Sequence, residues 1–453
     1  MKYFGTDGIR GKFGGSHVNG EFFTKLAQVI GEFFSEKISK KNLSVCMGRD
    51  TRSSGVELCD ALCAGFPGET RVLNCGILPT PAIAEATIFS DSDVGIAVTA
   101  SHNPGSDNGI KIFNGRGEKL TVKDEMRIEQ MLDHWQLRRT SAVKVVDFHR
   151  EAEANYGDKF RNFPLAGALA GKIIVLDSAN GATHAVAKKI FSDLGICVMQ
   201  IGCSPDGENI NENCGSEHPE NLAAITKKNG AFAGIANDGD GDRAVIFDEN
   251  GDRVDGDVLM GTIAVHMARR GELPNGKIVA TIQSNLGLDK YLESVGIGVI
   301  RCDVGDRNVY QGMLENDCYF GGENSGHLIF RKFSPIGDGI TAALYALLLV
   351  VEKNARLSKL KTNIALFPQK SFNVSVSERI PLEKIRGLGD DIERERAKLP
   401  TPGRIVARYS GTEPKLRVFV EAGSEKSVDH AWGNLQKSIL DRMNENDISA
   451  HIS

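Results

Sequence analysis

The 453-residue sequence has no hydrophobic stretch long enough to span a bilayer. Its longest apolar run, Ala342–Val351, covers ten residues, where a membrane helix needs roughly twenty. The run predicts a buried core helix instead. The nine cysteines are odd in number and irregularly spaced, with no Cys-x-x-Cys pair. That argues against a disulfide framework or a cysteine zinc site, and it predicts free thiols in a reducing, cytoplasmic compartment. Met1–Gly11 lacks the apolar segment of a secretory leader. Positive charge is also scarce: 54 Lys and Arg against 59 Asp and Glu leave a net −5, with no block of like charges. A nucleic-acid footprint needs a basic excess, so neither nucleic acid nor membrane is an expected partner.

What the sequence has in quantity is glycine, 50 residues, much of it in short polar loops where a backbone can approach a ligand closely. Several loops follow short apolar strands. Leu43–Met47 ends in Gly48-Arg49-Asp50-Thr51-Arg52, and Asp93–Thr99 ends in Ala100-Ser101-His102-Asn103-Pro104. Strand, polar turn and helix in alternation predict parallel sheets covered on both faces. Two stretches repeat the pattern, Gly171–Val175 with a strand after Ile196 and Gly276–Ala280 with a strand after Ile297. After a polar linker near 357–370 the pattern changes to two strands, 404–409 and 416–419, with helical segments around them. The expected fold is α/β: three tandem domains with mixed or parallel sheets and a smaller C-terminal α+β domain, around a central cleft. Boundaries are expected near 152, 254 and 367, giving modules 1–152, 153–254, 255–367 and 368–453.

Four loops carry chemistry. Ser101 lies at the carboxyl end of a buried strand, where α/β sheets gather ligands, so it is a candidate nucleophile or phosphoryl carrier. Read alone, it is equally well a helix-capping serine. In Asn237-Asp238-Gly239-Asp240-Gly241-Asp242-Arg243, three carboxylates at alternate positions repel one another unless a cation joins them. Oxygen ligands suit Mg²⁺ or Ca²⁺. An EF-hand is excluded because its sixth position requires glycine and here holds Arg243. Three aspartates leave room in a Mg²⁺ shell for phosphate oxygens, such as those of a phosphorylated Ser101, and Arg243 is a fitting phosphate partner. Gly321–His327 offers Glu323, Ser325 and His327 to sugar hydroxyls, although a polar turn explains it as well. In Arg408–Arg417, Ser410, Gly411 and Thr412 form a candidate anion nest flanked by Arg408 and Arg417. The opening Phe4-Gly5-Thr6-Asp7-Gly8-Ile9-Arg10-Gly11 adds Arg10 as a further cation for a phosphate.

In order and combination these loops resemble the α-D-phosphohexomutase superfamily over essentially the whole chain. Ser101 matches its phosphoserine, Asp238, Asp240 and Asp242 its Mg²⁺ loop, Glu323–His327 its sugar loop, and Arg408–Arg417 its phosphate loop. The opening motif, the Ser101–Pro104 and Asp107–Lys111 segments, and Val304-Gly305-Asp306-Arg307 resemble the bacterial branch acting on glucosamine phosphates. The resemblance implies interconversion of glucosamine 6-phosphate and glucosamine 1-phosphate. It also implies a phosphorylated Ser101 that joins the Mg²⁺ ligands, one ion per subunit, glucosamine 1,6-bisphosphate as activator and intermediate, and a homodimer. Lys111 is the first candidate for the general acid/base and His102 the second. A mannose- or glucose-phosphate mutase of the same superfamily, a metal-dependent sugar phosphatase and a non-catalytic sugar-phosphate sensor are the alternatives.

Overall fold

The computed structural model describes residues 2–165, 167–360, 364–410 and 414–452. The chain divides into two compact units, Met1–Gln283 with Val295–Asn363, and Ser284–Ser294 with Ile364–Ser453. Among the described residues no helix is long and apolar enough to cross a membrane.

The first unit contains three sheets. The first comprises β1 (Ile9–Lys12), β2 (Ser44–Arg49), β3 (Arg71–Ile77), β4 (Val94–Val98), β5 (Asp107–Asn114) and β6 (Lys144–Asp147), in the order β1-β5-β4-β2-β3-β6. The second comprises β7 (Ile173–Asp177), β8 (Cys197–Ile201), β9 (Ala233–Asn237), β10 (Ala244–Phe247) and β11 (Arg253–Val254), in the order β11-β10-β9-β7-β8. The third comprises β12 (Lys277–Thr281), β13 (Gly298–Cys302), β14 (Phe320–Gly322) and β15 (Leu328–Phe330), in the order β13-β12-β14-β15. One pattern recurs. Three parallel strands pair with the first of them central (β2, β7, β12), and a fourth strand returns antiparallel beside the third.

That fourth strand corrects one expectation. No helix follows the Ser101 loop. Asp107–Asn114 returns as β5 beside β4, so Ser101 sits at a hairpin tip and the helix-cap reading falls. The aspartate loop joins β9 to β10 and the Glu323–His327 loop joins β14 to β15 in the same way. Three chemistry-bearing loops thus occupy one topological slot, at the carboxyl ends of buried strands. Every residue of β4, β9 and β14 is buried, as expected for strands covered on both faces.

The apolar run forms the helix Gly339–Glu352, and nearly all of its residues are buried. Asp338 starts it by accepting the Thr341 N–H at 3.0 Å, a side-chain cap for an otherwise unpaired donor. Leu344, Leu347 and Leu349 are inaccessible to solvent; such burial stabilises by about 1.5–3 kcal/mol per side chain. This helix therefore anchors the loop it starts beside, as described below.

The second unit has an antiparallel sheet of β16 (Gln369–Val376), β17 (Gly403–Tyr409), β18 (Lys415–Ala422) and β19 (Ala450–Ile452), ordered β17-β18-β16-β19. Alternation along β18 buries Leu416, Val418 and Val420 against Leu435, Ile439 and Met443 of the helix Glu425–Glu445. The helix Leu286–Ser294, although it connects β12 to β13, groups with this unit; its Leu286 N–H donates to Glu421 Oε1 at 2.9 Å.

Candidate active site

Hairpin tips of the first unit bring Ser101 to the aspartates. Ser101 adopts φ 52°, a left-handed conformation that a non-glycine residue takes at a cost. Its N–H donates to Thr99 Oγ1 at 2.9 Å. Its hydroxyl donates to Asp238 Oδ2 at 2.6 Å, and His102 Nδ1 lies 3.5 Å away. Gly239 is needed here: a Cβ on it would stand 2.5 Å from the Ser101 carbonyl oxygen.

The three aspartates are buried, and their carboxylate oxygens lie within 4.8 Å of one another. Two helices start against their loop. Thr80, at the start of the helix Thr80–Phe89, donates its N–H to the Asp240 carbonyl at 2.9 Å and its hydroxyl to Asp240 Oδ2 at 2.6 Å. The Gly339 N–H donates to the Gly241 carbonyl at 3.0 Å. Both helix N-termini carry positive potential toward the carboxylates.

Lys111, on β5, is almost inaccessible and reaches Asp240 and Asp242 at 2.7 Å each and Asp7 at 3.0 Å. Asp7 also pairs with Arg10 and Lys119, and Lys119 with Asp306. Asp7 gets there because Gly8 turns at φ 83°, where a Cβ would strike the Ile110 carbonyl. His327 lies between Asp306, 3.2 Å from Nε2, and Asp242, 3.5 Å from Nδ1. Asp7, Asp240, Asp242 and Asp306 thus pair with Arg10, Lys111, Lys119, Arg243 and His327, while Asp238 accepts the Ser101 hydroxyl.

The titration of these groups follows from that arrangement. Burial penalises the charge on Lys111, but Asp240, Asp242 and Asp7 outweigh it and hold its pKa well above the ordinary lysine value. Burial likewise opposes ionisation of Asp7, and Lys111, Lys119 and Arg10 overcome it, holding Asp7 well below the carboxylate range. His327 is disfavoured as a cation by burial, yet Asp242 and Asp306 raise it to about 10. His102 goes the other way: burial, then Arg243 and Arg10, push it down to about 4. Asp238 is raised well above its ordinary value by burial and by the neighbouring Asp242 and Asp240.

A hard divalent cation fits this donor set. Asp240 Oδ1 and Asp242 Oδ1 are buried without a hydrogen-bond partner, and Asp238 is strongly disfavoured as an anion beside them. Such carboxylates are what a cation satisfies.

On the third hairpin, Glu323 Oε1 accepts the Gly305 N–H at 2.9 Å, and Ser325 Oγ is buried without a hydrogen-bond partner. The Gly326 carbonyl accepts the Ala244 N–H at 3.2 Å, tying this hairpin to the aspartate hairpin. His327 therefore turns toward the carboxylates. Arg243 lies 3.8 Å from Asp242 and 3.9 Å from Glu217; burial opposes its charge, and Asp238 and Asp242 more than restore it.

The fourth loop belongs to the second unit. Arg408 and Arg417 stand directly opposite in the β17–β18 register. The Ser410 N–H donates to the Lys415 carbonyl at 2.8 Å. Gly411 and Thr412 lie outside the described residues.

Sequence reasoning missed the structural parts played by Asp7, Thr80, Lys119 and Asp306. Asp7 and Asp306 stand in noted motifs without an assigned role. Thr80 and Lys119 carry no local signal, because their partners lie 160 and 187 residues away.

These features define a class. The chain belongs to the phosphoglucomutase/phosphomannomutase family, whose α/β/α domains I, II and III match residues 1–139, 154–251 and 255–366 and whose C-terminal domain matches 372–431. More particularly, it is 41% identical over 436 residues to the phosphoglucosamine mutase of Sulfurovum sp. strain NBC37-1, covering 95% of this chain and 97% of that one. It is 39% identical over 453 residues to the phosphoglucosamine mutase of Campylobacter fetus, covering 98% and 100%. Among solved structures, the fold is shared with a phosphoglucomutase/phosphomannomutase family protein from Burkholderia thailandensis (TM-score 0.77, 22% identity, 96% of this chain and 97% of that one). It is also shared with the N-acetylphosphoglucosamine mutase of Aspergillus fumigatus, solved with GlcNAc-6P and magnesium (TM-score 0.66, 17% identity, 97% and 96%).

Proposed function

We propose that this chain interconverts glucosamine 6-phosphate and glucosamine 1-phosphate through a phosphoserine at Ser101. The observation that carries the reading is the Ser101 hydroxyl 2.6 Å from Asp238, within a buried carboxylate triad, in a chain 41% identical to a phosphoglucosamine mutase. Asp238, Asp240, Asp242 and the phosphorylated Ser101 hold one Mg²⁺, which supplies electrostatic stabilisation of the transferring phosphoryl group. Phosphoserine brings about −1.5 to −2 charge, close to what a dication cancels.

The substrate's own phosphate is held by Arg408, Ser410, Gly411, Thr412 and Arg417, while Arg10 and Arg243 attend the phosphate at Ser101. Glu323 and Ser325 orient the sugar. His327 contributes as a cation beside Asp242. The hydroxyl that attacks the phosphoserine must lose its proton. Lys111, which reaches Asp240, Asp242 and Asp7, is the first candidate for that proton, and His102, 3.5 Å from the Ser101 hydroxyl, is the second. Glucosamine 1,6-bisphosphate forms when the phosphoryl group leaves Ser101, and the sugar then returns its other phosphate to the serine. The reading includes modules 1–152, 153–254, 255–367 and 368–453, a cytoplasmic location and a homodimer.

Intact mass and phosphopeptide mapping after incubation with glucosamine 1,6-bisphosphate test the serine. The expected result is one phosphate, at Ser101. A coupled assay for glucosamine 1-phosphate, primed with trace bisphosphate, tests the sugar. Brisk turnover of mannose or glucose phosphates without turnover of glucosamine 6-phosphate would replace the glucosamine reading by the mannose/glucose one. Stoichiometric release of inorganic phosphate would make the chain a phosphatase.

A further inference from the structure

The Ser101 loop is gripped from behind by side chains outside the reacting groups. Arg52, from the Asp50–Arg52 segment after β2, has no solvent exposure. Its Nη2 donates to the carbonyls of Ser101 at 3.0 Å and Asn103 at 2.9 Å, and its Nη1 to that of Pro104 at 2.5 Å. Its Nε is held by Asp50 Oδ2 at 3.0 Å. The same Asp50 oxygen accepts the Thr99 hydroxyl at 2.6 Å, and Thr99 in turn accepts the Ser101 N–H.

From the other side comes Asn211, in the segment between β8 and β9. Its Nδ2 donates to the same two carbonyls, Ser101 at 2.8 Å and Asn103 at 2.9 Å. A carbonyl oxygen has two lone pairs, so both acceptors are saturated, each by one donor from the first sheet's module and one from the second's. The two backbones are in close contact as well: a Cβ on Gly105 would stand 1.9 Å from the Glu208 carbonyl oxygen.

We propose that Arg52 and Asn211 are positioning residues for the phosphoryl transfer, which fix the Ser101 and Asn103 carbonyls and so hold Ser101 in its left-handed conformation with the hydroxyl on Asp238. The logic is that of a spring and a catch. Serine disfavours φ 52°, and the two carbonyls are the handles by which that peptide can turn back. A guanidinium with four acceptors is rigid in a way an ammonium is not, and its burial beside Asp50 removes competition from water. Because one donor comes from each module, the serine is aimed only when the two modules are docked. The proposal rests on Ser101 being the phosphoryl carrier.

The test follows Ser101 labelling by glucosamine 1,6-bisphosphate, read by intact mass, beside kcat, KM and Tm, in Asn211→Ala, Arg52→Lys and Arg52→Met. Misplacement of a reacting group by about 1 Å costs about a hundredfold in rate, so Arg52→Met is expected near that size, and Asn211→Ala, which leaves Arg52 in place, near about tenfold. Labelling rate and kcat should fall together with KM within about twofold, as for an interaction realised in the transition state, and Arg52→Lys should recover part of the loss. Should Arg52→Met fail to fold, Asn211→Ala and Arg52→Lys decide. A folded Asn211→Ala protein with wild-type labelling and kcat, or a raised KM at unchanged kcat, overturns the proposal. A wild-type protein that never takes phosphate at Ser101 overturns the functional reading beneath it.

Discussion

The three hairpin tips of the first unit and the β17–β18 loop of the second handle charge in opposite ways. At the tips, carboxylates and bases are matched in a buried network, with Lys111 and His327 each serving more than one acid. On β17 and β18, two arginines of the same sign face each other on half-buried strands. The first arrangement is built into the fold and suits chemistry, where preorganised charge is worth most. The second, in the proposed reading, serves capture and release of the substrate's own phosphate.

Ser101→Ala is the most damaging change to the tips. It should lower mutase turnover on the order of 10⁴-fold or more, the scale of losing a nucleophile, in the coupled assay, with Tm little changed. Lys111→Met should strike stability as well as rate. Removing one partner of a buried ion pair costs about 3–5 kcal/mol, and three carboxylates are left behind here. Urea denaturation with and without Mg²⁺ should show the ion recovering part of that loss; no recovery would separate Lys111 from the cation site. On the capture side, Arg408→Ala or Arg417→Ala should raise KM more than it lowers kcat. A hydrogen bond to a charged group is worth about 1.5–3 kcal/mol, or about 10–100-fold in KM. A drop in kcat at constant KM would erase the contrast between the two kinds of loop.

The smallest effect is the response to pH. The folded pKa of His327 is raised from 6.5 to about 10. Its contribution is therefore fully present below pH 6.5 and lost as pH rises through about 10. The metal-free protein should lose stability across that window, and His327→Gln should flatten the slope. An unchanged slope would mean that the imidazole is neutral in its pocket.

The four loops could be read from the sequence because each is contiguous. The alternation Asp238, Asp240, Asp242 announces a cation through like-charge repulsion alone. The buried helix Gly339–Glu352 was readable from its uniform apolarity, but its cap Asp338 and its role under the metal loop were not. The hairpin after Ser101 was misread because strand, polar turn and helix is the commoner continuation in a parallel sheet, and nothing in Ser106–Asn114 overrides it locally. Arg52 and Asn211 were invisible as partners, since only the fold brings the two donors to one pair of carbonyls.

The contact between Ser101 and Asp238 closes a loop of 137 residues, and its consequence is one of timing. Closing so long a segment carries an entropic cost that only the assembled sheets can offset. Secondary structure and the separate sheets can form while the serine still has no acid beside it. Turnover thus requires both sheets to be assembled, and a chain cut after the first sheet would carry the serine without Asp238 beside it.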